Sequence, residues 1–113
     1  MPVQEWSDSV LLVEFQDDPA FTDDINSALE IIENQAQRDV VLNFADVSFL
    51  NSSNIAKLLK LRKLVAVNQQ RKLILCGIGT HIWGVFLVTG LDKVFEFADD
   101  VASGLASVQM GRQ

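Results

Sequence analysis

Short apolar runs alternate along the chain with stretches in which apolar residues recur at helical spacing, and polar breaks separate them. The first run, SVLLVEF (Ser9–Phe15), is β-branched and apolar and predicts a strand, which QDDPAFTDD ends with acids and Pro19. From about Asp24 to Gln35, Ile25, Ala28, Leu29 and Ile32 fall on one helical face, with Asp23 or Asp24 as the cap. DVVLNF (Asp39–Phe44) predicts a second strand, apolar enough to be covered on both faces. A longer helix opens at Ser52 and Ser53 and continues to roughly Asn68, with Ile55, Leu58, Leu59, Val65 and Ala66 on its apolar face. KLILCG (Lys72–Gly77) predicts a third strand, punctuated by Gly77 and Gly79. A compact helix then runs from about Thr80 to Val88, closed by Gly90 in a left-handed C-terminal position. KVFEF (Lys93–Phe97) predicts a short fourth strand. ADDVASGLASVQ, capped by Asp99 or Asp100, predicts a last helix, and the trailing MGRQ is expected to fray.

Strands alternating with helices imply an α/β layer built of right-handed, parallel strand–helix–strand units. The pattern leaves open whether the first strand joins in parallel or lies antiparallel at an edge. A chain of 113 residues, 49% apolar and 21% charged, suits one globular domain covering residues 1–113. The net charge of −6 argues against nucleic-acid binding, which rests on a basic surface, and against attachment to anionic lipid. The single cysteine, Cys76, makes no internal disulfide. The opening MPVQEWSDSV has no secretory pattern, and the longest apolar run, around HIWGVFLVTG, falls far short of the ~20 residues that span a bilayer. A cytoplasmic protein without membrane insertion is the expectation.

Chemistry concentrates in DVSFLNSSNIAKLLKLRK, where two serines between two asparagines open the longest helix. A serine there can accept a backbone amide as the N-cap, a role worth ~1 kcal/mol, and one serine suffices for it. The same helix start presents unpaired amides and a partial positive charge, which suit a phosphoserine carrying about −1.5 to −2 charge. Lys57 lies within the next turn. Leu61 and Leu64 fall away from the apolar stripe among lysines and either meet a partner or wrap the edge of the core, while Arg62 faces the stripe, its stem packed and its head in water. Elsewhere the residues read as structural. His81 has no catalytic or metal-binding neighbour, and Cys76 reads as a small buried hydrophobe. Asp17, Asp18, Asp23 and Asp24 lack calcium-loop spacing and read as turn and cap residues, and the glycines form no nucleotide motif. Trp83, Phe86, Leu87 and Val88 read as core contacts, with Trp83 or Phe86 the alternative for a partner; Trp6 precedes the first strand and covers an open end of the sheet. With no base–nucleophile pair, an enzyme is not expected.

The order of elements, with DVVLNFADVSFLNSSNIAKLLKLRK and the later LVTGLDKVFEF, resembles the STAS family, named for sulfate transporters and anti-sigma factor antagonists. Within it the likeness is to the free-standing bacterial anti-sigma factor antagonists, and it runs from about Val10 to Ala106. In that family a strand ends in an acidic residue, and a hydrophobic approach leads to Asp-Ser-Ser/Thr-Gly at a helix start. The first serine is phosphorylated by the anti-sigma factor, itself a serine kinase. The bare antagonist binds that kinase and frees the sigma factor; the phosphorylated form lets go, and a serine phosphatase restores it.

The resemblance implies a STAS-like α/β domain with a mixed, mostly parallel four-stranded sheet and about four helices. It implies Ser52 as phosphoacceptor, with Ser53 as second choice. The docking surface expected on this basis comprises Asn51, Ser52, Ser53, Asn54, Lys57, Leu61 and Leu64. The partners would be an anti-sigma factor serine kinase and a serine phosphatase; the chain would use no cofactor, ATP belonging to the kinase. Three positions depart from the family pattern: Asn43 at the strand end, Asn51 before the acceptor, and Asn54 in the glycine position, where Asn retains access to positive φ. These changes leave two alternatives: a non-phosphorylated scaffold module in a signalling or lipid-transport complex, and a small-ligand or nucleotide sensor.

Overall fold

The computed structural model describes residues 3–34 and 38–110. The expected helix end at Gln35 and the fraying expected at 111–113 lie outside the described residues. In chain order the elements are β1 (Val3–Ser7), β2 (Val10–Gln16), α1 (Ala20–Asn34), β3 (Asp39–Asp46), α2 (Ser52–Arg62), a π-helical segment (Lys63–Asn68), β4 (Leu73–Cys76), α3 (Thr80–Thr89), a 3-10 turn (Leu91–Lys93), β5 (Glu96–Ala98) and α4 (Val101–Met110). The five strands form one sheet in the order β1-β2-β3-β4-β5. β2 to β5 run parallel, and β1 returns antiparallel along the outer edge of β2.

Five strands replace the expected four. The additional one, VQEWS, is exposed at its three central residues and carries no apolar alternation for a sequence reading to detect. Trp6 is therefore part of this edge strand and largely exposed rather than a cover for the sheet's end. The strand read from Ser9–Phe15 is internal and parallel to β3. The last strand starts later than expected because Gly90, at φ +78, ends α3 and the chain then tightens into the 3-10 turn, with Val94 and Phe95 N–H groups returning to the Leu91 carbonyl.

Alternation along the strands divides the core. Leu11, Val13 and Phe15 of β2, with Val40, Leu42 and Phe44 of β3, meet α1, α2 and α3 on one face. Val10, Leu12, Val41, Ile74 and Cys76 face α4 on the other. A Cβ on Gly104 of α4 would lie 3.1 Å from Val41 Cγ1, so glycine at that place allows the helix to settle on the sheet. The Cys76 thiol is buried beneath this layer, and burial, reinforced by Asp100 and Glu14, pushes its pKa up to about 11.

Two constraints order the ends of the sheet. At the N-terminal end of the parallel strands, the buried Asp39 carboxylate accepts Arg71 Nε at 3.0 Å and the Lys72 amide at 2.9 Å, while Arg71 Nη2 also reaches the Ser9 carbonyl at 3.4 Å. That joins the starts of β2, β3 and β4. At the opposite end, Phe15, Phe21 and Phe44 cluster, with Phe15 ring centroids 4.3 and 5.3 Å from the other two. Each buried Phe contributes ~1.5–3 kcal/mol, which anchors the loops that leave β2 and β3.

Helix α2 and the segment after it run to Asn68 as expected, but their phase differs. The buried positions are Asn54, Leu58, Leu61 and Val65, a stripe of four- and three-residue steps. Leu61, expected on the exposed side, is fully buried, whereas Leu59, expected in the core, is 39% exposed. Leucines at 58, 59, 61 and 64 satisfy several phases, and the buried Asn54 selects among them. Leu64 is half-buried against the main core. Arg62 packs as expected, with Nε donating to the Val94 carbonyl at 3.0 Å. On α3, Phe86 is buried and Trp83 packs edge-on against Phe97, centroids 5.0 Å apart. Leu87 and Val88, read as core contacts, are exposed, Val88 at 89%. The phase of α2 gives a direct expectation: Leu61→Ala should lower the unfolding free energy in urea by ~2–5 kcal/mol, and Leu59→Ala by no more than ~0.5 kcal/mol. Equal losses would overturn the assignment.

Candidate functional site

The C-terminal ends of β2 and β3 emit the loops that meet at the start of α2. The first carries Asp17 and Asp18 and the second runs through Val47 to Asn51. Asp17 holds the second loop, accepting the Ser48 amide at 2.8 Å and forming a very short bond with the Ser48 hydroxyl. Asp18 Oδ1 accepts both the amide and the hydroxyl of Thr22, at 2.9 and 2.7 Å, and so caps α1. α1 consequently begins ahead of the Asp23 or Asp24 cap read from the sequence. Asp18 Oδ2 receives the side-chain amides of Asn54 at 3.1 Å and Asn51 at 3.3 Å.

Those two asparagines also bond each other. Asn51 Oδ1 accepts the Asn54 amide at 2.8 Å, and Asn54 Oδ1 accepts the Asn51 amide at 3.1 Å, a reciprocal capping box. The cap of α2 is thus Asn51, and neither serine performs that role. Ser52 and Ser53 occupy the first two helical positions, both exposed, and neither hydroxyl hydrogen-bonds to any described residue. Their backbone amides are among those with no intrahelical acceptor. Ser52, Ala56, Leu59 and Lys63 lie at helical spacing on one exposed face of α2 and its continuation, and exposed Phe49 precedes the serines in the loop.

The other expected site residues distribute differently. Asn54 is buried at 2% relative exposure, so it organises the loop from within and offers no contact surface; it is helical, not left-handed. Lys57 Nζ is engaged by Asn26 Oδ1 on α1 at 2.7 Å. Leu61 lies in the core and Leu64 at its edge. Asn51 remains exposed beside Ser52. Asn43 Oδ1 accepts the Ala45 amide at 3.0 Å, and its Nδ2 approaches Glu14 Oε2 at 3.5 Å. An aspartate there would set a second carboxylate against Glu14; the amide offers a donor instead. A Cβ on Gly77, at φ +71, would fall 2.7 Å from Asn43 Oδ1, so the end of β4 closes tightly on this strand end.

Asp17 and Asp18 are the contributors that sequence reasoning assigned only to turn and cap duty. Their signal was the acidic pair before Pro19, but their partners lie in the next crossover. Hydrogen bonding from Ser48 holds the Asp17 carboxyl below its ordinary pKa, and that from the Thr22 hydroxyl, joined by Asn54 and Asn51, does the same for Asp18 against a desolvation cost. Asp24 is shifted the other way, raised by burial and by Asp23. His81 is exposed. Among the described residues no His, Cys, Asp and Glu group could hold a metal ion, and no helix is long and apolar enough to cross a membrane.

The model of the STAS domain family matches residues 9–104. No protein of curated function matches the sequence significantly. Among solved structures, an anti-sigma factor antagonist assigned as putative, from Thermotoga maritima, superposes with a TM-score of 0.81 at 14% identity, over 96% of this chain and 93% of that one. RsbS from Moorella thermoacetica, in a serine-to-glutamate variant, gives 0.78 at 17% identity over the full length of both chains, 100% each. The Bacillus cell fate determinant SpoIIAA in its phosphorylated form gives 0.69 at 21% identity, over 94% and 96%. At these identities the likeness establishes the fold.

The Asp18 bonds carry a pH signature. The folded pKa of Asp18 lies below its unfolded value, so its contribution is complete above the unfolded value of ~3.9 and disappears as the pH falls through the folded one. Asp17 acts in the same sense and Asp24 in the opposite one. Asp18→Ala, measured by urea unfolding, should lower stability at neutral pH by about 1–2 kcal/mol, as for loss of a helix cap. The gap to the native chain should narrow as the pH falls below ~3.9. A gap of constant size down to strongly acid pH would remove the carboxylate charge from the account.

Proposed function

Because the chain belongs to the STAS domain family, we propose that it is an anti-sigma factor antagonist whose docking to a kinase-type anti-sigma factor ends when Ser52 is phosphorylated. One observation carries the reading: Asn51 caps α2, so the Ser52 hydroxyl stands in water at the helix start with no other bond to keep. Ser53 is the second candidate acceptor. The phosphorylated form of SpoIIAA and the serine-to-glutamate variant of RsbS, both of this fold, lend the reading support.

In this reading Ser52 Oγ attacks the γ-phosphorus of ATP held by the kinase; the new O–P bond forms, ADP leaves, and the seryl proton passes to a base. Asn43 and Asn51 are amides and cannot take that proton. Asp18 is a poor base, because both oxygens already accept hydrogen bonds and its pKa is depressed. The base therefore belongs to the kinase, and this chain supplies the nucleophile and its placement. The product phosphate sits beside the free amides of Ser52 and Ser53, a helix-start interaction worth ~0.3–1 kcal/mol.

Release follows from charge. The modification adds about −1.5 to −2 at a helix start held by Asp17 and Asp18 of the neighbouring loop. Docking would use the exposed face that includes Phe49, Asn51, Ser52, Ser53 and Leu59, with Leu59 in place of the buried Leu61. Each ~1.4 kcal/mol of repulsion or desolvation cost weakens that contact tenfold. A serine phosphatase reverses the step. The protein would act in the cytoplasm, in signal transduction to transcription, and would hold no cofactor.

A phosphorylation-independent adaptor is the second reading, favoured by the amides at Asn43 and Asn51 and by the full commitment of Asp18. Intact-mass measurement after incubation with the cognate kinase and ATP separates the two. The proposal expects a gain of one phosphate, abolished in Ser52→Ala and retained in Ser53→Ala. In titrations against the same kinase, Ser52→Asp should bind ~100-fold more weakly than Ser52→Ala. Equal affinities, or no gain of mass, would leave the adaptor.

A further inference from the structure

At the far end of α2 from the serines, a cleft of about 420 Å³ opens between the end of that helix and the starts of β4 and β5. Arg62, Arg71 and Lys72 line it, three of the nine lysines and arginines in a chain of net charge −6. Arg71 is neutralised by Asp39, 3.0 Å away. The other two cations form no ion pair with a described residue. Arg62 uses only Nε, whose bond to the Val94 carbonyl fixes the guanidinium, and its terminal nitrogens make no hydrogen bond to any described residue. The Lys72 ammonium makes none either, its backbone amide alone reaching Asp39. Glu96 lies on the rim, in no ion pair with Arg62 or Lys72, and Ala66, Leu73 and Phe95 supply apolar wall.

The backbone beside this cleft is also unusual. The π-helical segment Lys63–Asn68 leads into it, with the Gln69 amide bonded to the Leu64 carbonyl at 3.1 Å. Gln70, on the lining, has φ +55, a left-handed conformation that non-glycine residues seldom adopt. Gln70 directly follows the C-cap of this segment, and the Arg71 amide closes the turn on the Val65 carbonyl at 2.9 Å, so the helix end itself fixes the lining, while π segments recur at functional sites.

We propose that this cleft binds a small organic anion, its phosphate or carboxylate group received by the open fork of Arg62 and by Lys72, and its apolar part by the wall at Phe95. A planar guanidinium held by one nitrogen presents its two outer N–H pairs in the geometry that takes an oxyanion bidentately. The site is independent of the serines, since α2 separates them by ~15 Å at 1.5 Å rise per residue.

Amide chemical shifts of the full-length chain, titrated at constant ionic strength with phenyl phosphate, benzoate and inorganic phosphate, test the proposal. Saturable shifts confined to residues 70–73 and 94–96 are expected with at least one aromatic anion, and which of the two is preferred identifies the acid group. Inorganic phosphate should bind more weakly than phenyl phosphate. Lys72→Gln, whose side chain makes no hydrogen bond to a described residue, and Arg62→Gln should each weaken binding about tenfold or more, the loss of one charge-assisted contact. Ser52→Ala should leave the titration unchanged. Shifts that never saturate, or that persist at full size in both Arg62→Gln and Lys72→Gln, would overturn the site.

Discussion

Both oxygens of Asp18 are fully committed, and through them the start of α1 is tied to the start of α2. No backbone ladder connects these two helix starts; the carboxylate does. Its acceptance of the Asn51 and Asn54 amides fixes the reciprocal bonds between those residues, and these in turn take over the capping of α2. The exposure of Ser52 and Ser53 follows. In a helix capped by serine, the hydroxyl would be turned inward onto the backbone; here asparagine performs that task and leaves both hydroxyls to solvent.

The architecture was legible because it rests on period and burial. Leu11 and Val13 alternate with Leu12, and Ile25, Ala28, Leu29 and Ile32 repeat at helical spacing, so the strands and helices around them could be placed from the chain alone. β1 escaped because an edge strand with one covered face and polar side chains needs no pattern. The phase of α2 escaped for the opposite reason: its leucines are too many, and a polar residue, Asn54, decides which of them turn inward. Leu87 and Val88 were misplaced because α3 is apolar nearly all round, so that hydrophobicity ceases to mark a side.

The site was half legible. The serines, their helix and their family motif are local features. Asp18 meets Asn51 and Asn54 across 33 and 36 residues of sequence, a distance over which no pattern in a single chain reports contact. The three asparagines that depart from the family motif likewise gain meaning only in space. Asn43 offers Glu14 a donor, and Asn51 and Asn54 lock the loop onto Asp18. At Asn43 and Asn51 the chain has neutral, hydrogen-bonded amides where the motif usually carries carboxylate, and at Asn54 an amide where it carries glycine.

Cys76 lies on the sheet face opposite all of this, under α4, with its sulfur donating toward the Leu42 carbonyl at 3.4 Å and Gly104 directly above it. Its proton is held far above neutrality and its surface is sealed, so neither oxidants nor alkylating reagents can reach a thiolate in the closed molecule. As the chain's one sulfhydryl, it is a natural clock for the lifting of the last helix: the rate at which it reacts counts how often that layer opens.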